Sequence, residues 1–219
     1  MIYLSTAIVA LCSMVYELQL AQLLASLLGN TVLRYSVTIG LYLAALGIGS
    51  LLANRLRQDP PAAYRHFILV ELVLSFLGGL SIVSLLLLAT WTPAAVLSLL
   101  SHSLMVVIGV LSGLELPLLL RQHTVQTDNT QGLLTANYLG AMVGAVAFGL
   151  WLLPALGLVL TSLATGMLNV AVAAAFILRN DRRWSSLLLR VAGSLAAIFI
   201  LAAINASKLA DYFFTRFIS

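Results

Sequence analysis

The chain is a succession of apolar runs, most of twenty residues or more, separated by short polar breaks. Few folds accept that pattern. In a bilayer every backbone N–H and C=O must be bonded within the protein, so a continuous apolar run crosses as a helix. A membrane barrel would need alternating apolar and polar residues, and these runs do not alternate. A soluble domain carries about 25% charged residues; this chain has 8% in 219 residues, against 62% hydrophobic. At about 20 residues per crossing, the length predicts about seven spans and no room for a separate soluble domain.

The runs place the spans at 2–28, 33–54, 66–90, 94–120, 132–153, 157–178 and 187–206. The expected fold is therefore all-α, a polytopic transmembrane helix bundle. A single transmembrane domain would cover 1–206, followed by a short C-terminal tail, 207–219. Basic residues sit mainly in the even-numbered loops: Arg55, Arg57 and Arg65, then Arg121, then Arg179, Arg182 and Arg183. The positive-inside rule puts those loops in the cytoplasm, the N-terminus inside and the tail outside. The expected location is the cell inner membrane, multi-pass, with the first span uncleaved. No Lys or Arg precedes Arg34, and the first run contains Glu17. Trp91, Trp151 and Trp184 would anchor helices at the interfaces, and the aromatic tail 211–217 would lie at the membrane surface.

A weak internal repeat runs through this pattern. Tyr16-Glu17-Leu18-Gln19-Leu20 parallels Leu114-Glu115-Leu116-Pro117-Leu118, and Tyr42-Leu43-Ala44-Ala45 parallels Tyr138-Leu139-Gly140-Ala141. The first and fourth spans would run in opposite directions. That predicts a three-plus-three inverted repeat, with the seventh helix as an extra C-terminal element.

Three carboxylates interrupt apolar runs: Glu17, Glu71 and Glu115. Each costs roughly 2.5–3.5 kcal/mol at mid-helix depth, so each needs a partner or a wet cavity. Glu17 and Glu115, with Tyr42, Asn137 and Tyr138, form the candidate intramembrane polar site. It reads equally as a proton or cation relay and as a hydrogen-bonded knot that fixes packing. Tyr16, Tyr35 and Arg34 are further candidate partners, and Pro117 should kink the helix beside Glu115. Glu71, a few residues into its span, is expected to reach headgroup water. Small residues at four-residue spacing mark tight helix packing: Gly40, Gly49, Gly109, Gly113, Gly140 and Gly144. They put the second and fifth spans at the centre of the bundle.

Nothing here has the spacing of a metal site, a nucleophile motif or a phosphate loop, so no cofactor is expected. His102 stands alone. Cys12, the single cysteine, cannot form an internal disulfide. No basic run with interleaved aromatics suggests nucleic acid; the expected partners are the lipid bilayer and other membrane-protein subunits.

The order of these pieces resembles one known family, the integral-membrane domain of membrane-bound spermidine synthase-like proteins (polyamine aminopropyltransferases). The resemblance rests on Tyr16-Glu17-Leu18, Tyr35-Ser36, Gly40 to Ser50, Gly113 to Leu118, Asn137 to Ala141 and Leu153 to Gly157, and covers about residues 1–180. The family's synthase domain carries a Gly-rich nucleotide loop and an acidic catalytic motif, and neither is found in this sequence. Asn137 also stands where the family often has an acid. The resulting expectation is a non-catalytic membrane subunit or scaffold of a larger complex, not itself an enzyme. The alternative is a small transporter or channel for a polyamine, a cation or protons, using the intramembrane glutamates.

Overall fold

The computed structural model describes residues 2–57, 59–123, 130–179, 185–206 and 208. Among the described residues the chain is all-α. The helices are α1 (Ile2–Leu28), α2 (Thr31–Ala53), α3 (Pro60–Gly79), α4 (Ser81–Ala89), α5 (Ala94–His123), α6 (Thr130–Ala147), α7 (Leu153–Arg179) and α8 (Ser185–Ile204), with a π-helical turn at Phe148–Leu152. Six stretches are long and apolar enough to cross a membrane: α1, α2, Pro60–Ala89, Ala94–Gln122, Thr130–Arg179 and Ser186–Ile204.

Local chemistry sets the ends. Gly29 and Asn30 take positive φ, where side chains other than Asn and Gly are strained. The Asn30 side chain then caps α2 by accepting from Leu33 N at 3.2 Å. Asp59 caps α3 in the same way through Ala62 N, ahead of Pro60 and Pro61 in the first turn. This start lies six residues before the expected 66. Pro154 does not break the chain as expected. A proline has no N–H to donate four residues back, and the preceding turn is π-helical, with wider bonding. The break falls at Gly157, whose φ of 68° and ψ of 180° are accessible only to glycine.

Close contacts fix the helix directions. Tyr16 packs on Gly78 and Gln19 reaches Ser81, so α1 runs parallel to the α3–α4 span. Ala7 meets Gly140 and Leu11 meets Gly144, so α6 also runs with α1. Phe67 stacks on Phe176 while Gly79 touches Gly166, so α7 runs against α3. α2 and α5 run together, joined at Leu46–Gly113 and closed by Arg121, which donates to the Ala53 carbonyl at 2.8 Å. These directions gather Arg55, Arg57, Arg65, Arg121 and Arg179 at one end of the bundle.

The centre of the bundle is α1, the most buried span, and not the second and fifth spans. Small residues on α2 and α6 build one narrow seam each, and the opposite faces of both helices stay exposed. Gly49, Gly109, Gly113, Gly140 and Gly144 sit in the seams. A Cβ on Gly113 would fall 2.2 Å from the Leu46 carbonyl oxygen, and one on Gly140 would fall 2.1 Å from that of Ala7. Gly40 is the exception to the packing expectation, because its Cβ position meets nothing within 4 Å. Trp91 and Trp151 are exposed. Trp184, Arg182, Arg183 and the aromatic tail lie outside the described residues.

Candidate functional site

Four helices surround a cavity of about 560 Å³. α1 contributes Ser13 and Glu17, α2 Tyr42 and Ser50, α5 Ser112, Gly113, Glu115 and Pro117, and α6 Asn137 and Tyr138. All five candidates for the polar site (Glu17, Glu115, Asn137, Tyr138 and Tyr42) thus line one space. α2 and α6 stand apart at its mouth, where the exposed Leu43 and Tyr138 form the rim. The walls are mainly apolar, and the acids sit at the protein side, where Glu17 and Glu115 are 3% and 4% exposed.

Tyr42 joins three of the walls. Its Oη lies 3.0 Å from Ser13 Oγ, 3.1 Å from the Ser13 carbonyl and 3.2 Å from Ser112 Oγ. The phenol therefore bonds to serines instead of either glutamate, yet it stands within electrostatic reach of both. Pro117 stays inside a continuous α5, but it cannot donate to the Gly113 carbonyl one turn back. The two carboxylates are the part of this lining that suits a cation.

Glu71 corrects the sequence reading. It is fully buried, not directed toward headgroups, and its carboxyl faces that of Glu115. Neither Glu71 oxygen completes a hydrogen bond of good geometry. Tyr16 and Cys12 of α1 lie within reach of the same pair. Of the other candidate partners, Tyr35 points elsewhere, donating to Gln22 Oε1 at 2.6 Å, whereas Tyr16 Oη stays near the pair without completing a hydrogen bond. Ser13 and Ser112 were not foreseen, because serines in apolar helices usually bond to their own backbone. His102 does so here, with Nδ1 2.6 Å from the Ser98 carbonyl.

The fold and cavity define an all-α bundle, with six stretches long and apolar enough to cross a membrane, around a buried acidic cleft. Comparison with known proteins places it beside an enzyme family. The chain is 38% identical over 177 residues to polyamine aminopropyltransferase 2 of Ralstonia nicotianae, covering 79% of this chain and 34% of that protein. It is 35% identical over 211 residues to polyamine aminopropyltransferase 1 of Streptomyces coelicolor, 94% of this chain and 39% of that protein. The polyamine aminopropyltransferase of Mycobacterium tuberculosis is 36% identical over 217 residues, 91% of this chain and 40% of its own length. The chain therefore spans little more than a third of the curated relatives it matches. No protein-family model matches it, and no solved structure does.

The expectation that the chain is not an enzyme is corrected by this finding, since the relatives carry the name of an enzyme. That expectation looked for catalytic motifs only within helices that match about a third of those proteins.

Proposed function

We propose that the chain is the membrane-embedded module of a polyamine aminopropyltransferase-like assembly in the cell inner membrane, acting as its subunit or scaffold, and that its cleft holds an organic cation. The observation that carries the second part is the meeting of Glu17 and Glu115, from two helices far apart in sequence, on one cavity. The relatives' name supplies the class of cation, a polyamine. Alternating methylenes and ammonium groups suit apolar walls that carry a few carboxylates.

The architecture that goes with this reading has seven crossings. The stretch Thr130–Arg179 holds 50 residues, about 75 Å of helix against a hydrocarbon core of about 30 Å. Its two halves, α6 and α7, run in opposite senses relative to α1 and α3. The main helix pairings also exchange under an inverted repeat that relates α1 to α5, α2 to α6 and α3 to α7. It turns the α1–α6 pair into the α5–α2 pair and leaves α3–α7 in place. The cleft then lies where the two repeats meet, the usual position of a transporter site. This favours a second reading, passage of a polyamine or proton through the same cleft. The arginine-bearing end faces the cytoplasm by charge bias, with the N-terminus on that side.

Purification of the tagged chain from native membranes tests the assembly. Co-purifying proteins, together with aminopropyl transfer to putrescine by the preparation, are expected. A chain that purifies alone and without transfer activity contradicts the proposal.

A further inference from the structure

We propose that Glu71, placed behind Glu115 as seen from the cleft, shares a proton with it, and that this proton leaves when an organic ammonium ion enters. The inference rests on the reading of the cleft as a cation site. It assigns a role to a residue that does not line the cavity.

Glu71 is 0% exposed, and both of its oxygens lack a hydrogen-bond partner. Tyr16 Oη, on a different helix, is equally buried and equally unpartnered, and lies within electrostatic reach of both carboxyls. A knot built only for packing would satisfy these atoms, because each unmet one costs about 1–3 kcal/mol.

Several titratable groups face the pair. α1 presents Cys12 and Tyr16, α2 presents Tyr42, and α5 presents Glu115. α4 has no titratable side chain, and the only one on α7 is Arg179, at its C-terminal end beside Tyr64. α8 carries Arg190 in its second turn, and Tyr138 of α6 sits at the cavity rim. On α3 itself, His66 lies more than one turn toward the basic end. Two carboxylates side by side without a cation repel each other in a medium that solvates neither, whereas a proton held between them satisfies both.

Glu115 belongs to the pair and to the cavity wall at once. An ammonium ion at Glu115 supplies the positive charge that the proton supplied before. The proton passes to water in the cleft, and the carboxylate stays as counter-ion. At the pair, one ammonium group takes the place of one proton, and the other amines of a polyamine lie outside this exchange.

The test uses the full chain in lipid nanodiscs with spermidine as probe. Calorimetry in two buffers of different ionisation enthalpy gives protons released per spermidine bound. About one is expected for the native chain, and distinctly fewer for Glu71→Gln, where the second carboxylate no longer helps to hold the proton. This ratio does not depend on affinity. Infrared difference spectra of the native chain give a readout that needs no variant: adding spermidine should remove a protonated carboxylic acid band. Binding without proton release, or with no loss of that band, overturns the inference and leaves the cation site standing. No saturable binding at all overturns both.

Discussion

Gly113 of α5 lies so close to the Leu46 carbonyl of α2 that a single added methyl would fall 2.2 Å from that oxygen. The matching seam, Gly140 against Ala7, joins α6 to α1. Each seam locks one helix pair, and the cleft is the space between the two locked pairs. Gly113→Ala and Gly140→Ala should each destabilise the bundle by about 1–3 kcal/mol, because backbone cannot give way as a side chain end can. Gly40→Ala should be neutral or slightly stabilising, since its Cβ position is open. Thermal unfolding in detergent checks all three.

Tyr42→Phe removes the hydroxyl that holds Ser13 and Ser112 together across the cavity wall. The expected cost is about 1–2 kcal/mol, from the lost bonds of a buried group. Restored stability in a Ser13→Ala, Tyr42→Phe double variant would mark the two residues as coupled. The same unfolding assay measures it.

Gly157→Ala places a Cβ on a backbone conformation open to glycine alone, at about 1–3 kcal/mol. Space does not limit the substitution, for nothing lies within 4 Å. A large loss of folded protein on size-exclusion chromatography is expected here and not for Gly149→Ala, which has equal space and, though in the π-helical turn, no positive φ.

The proposed seven crossings would put residue 155 on the membrane face opposite residue 54. Single cysteines at Ala155 and Thr92, in a Cys12→Ser background, should react with a membrane-impermeant thiol reagent added from outside intact cells. A cysteine at Asn54 should react only after the cells are opened. Labelling of Ala155→Cys only from the cytoplasmic side contradicts the reversal at Gly157.

Much of this was legible in the sequence, and the gaps have physical causes. The apolar runs located α1 to within a residue, because a 27-residue run bounded by Gly29-Asn30 admits one reading. The acids Glu17 and Glu115 were legible as costly, and the repeat hinted that they belong together. Glu71 was misplaced because its distance from the helix start was counted from 66, whereas the Asp59 cap extends α3 to Pro60. Its pairing with Glu115 joins helices 44 positions apart in sequence, which no local pattern encodes. The small residues likewise marked contact but not direction. A glycine row identifies a seam, yet only the packing decides that α1, poor in glycine, is the most buried span.

On the proposed reading, the cleft between α1, α2, α5 and α6 binds a polyamine through Glu115. Equilibrium dialysis of radiolabelled spermidine against the purified chain in nanodiscs tests it most directly. Saturable binding is predicted, weakened at least about tenfold in Glu115→Gln by loss of a buried charge partner, while the variant stays monodisperse. Spermidine binding of equal strength in both proteins, or none in either, would contradict the account.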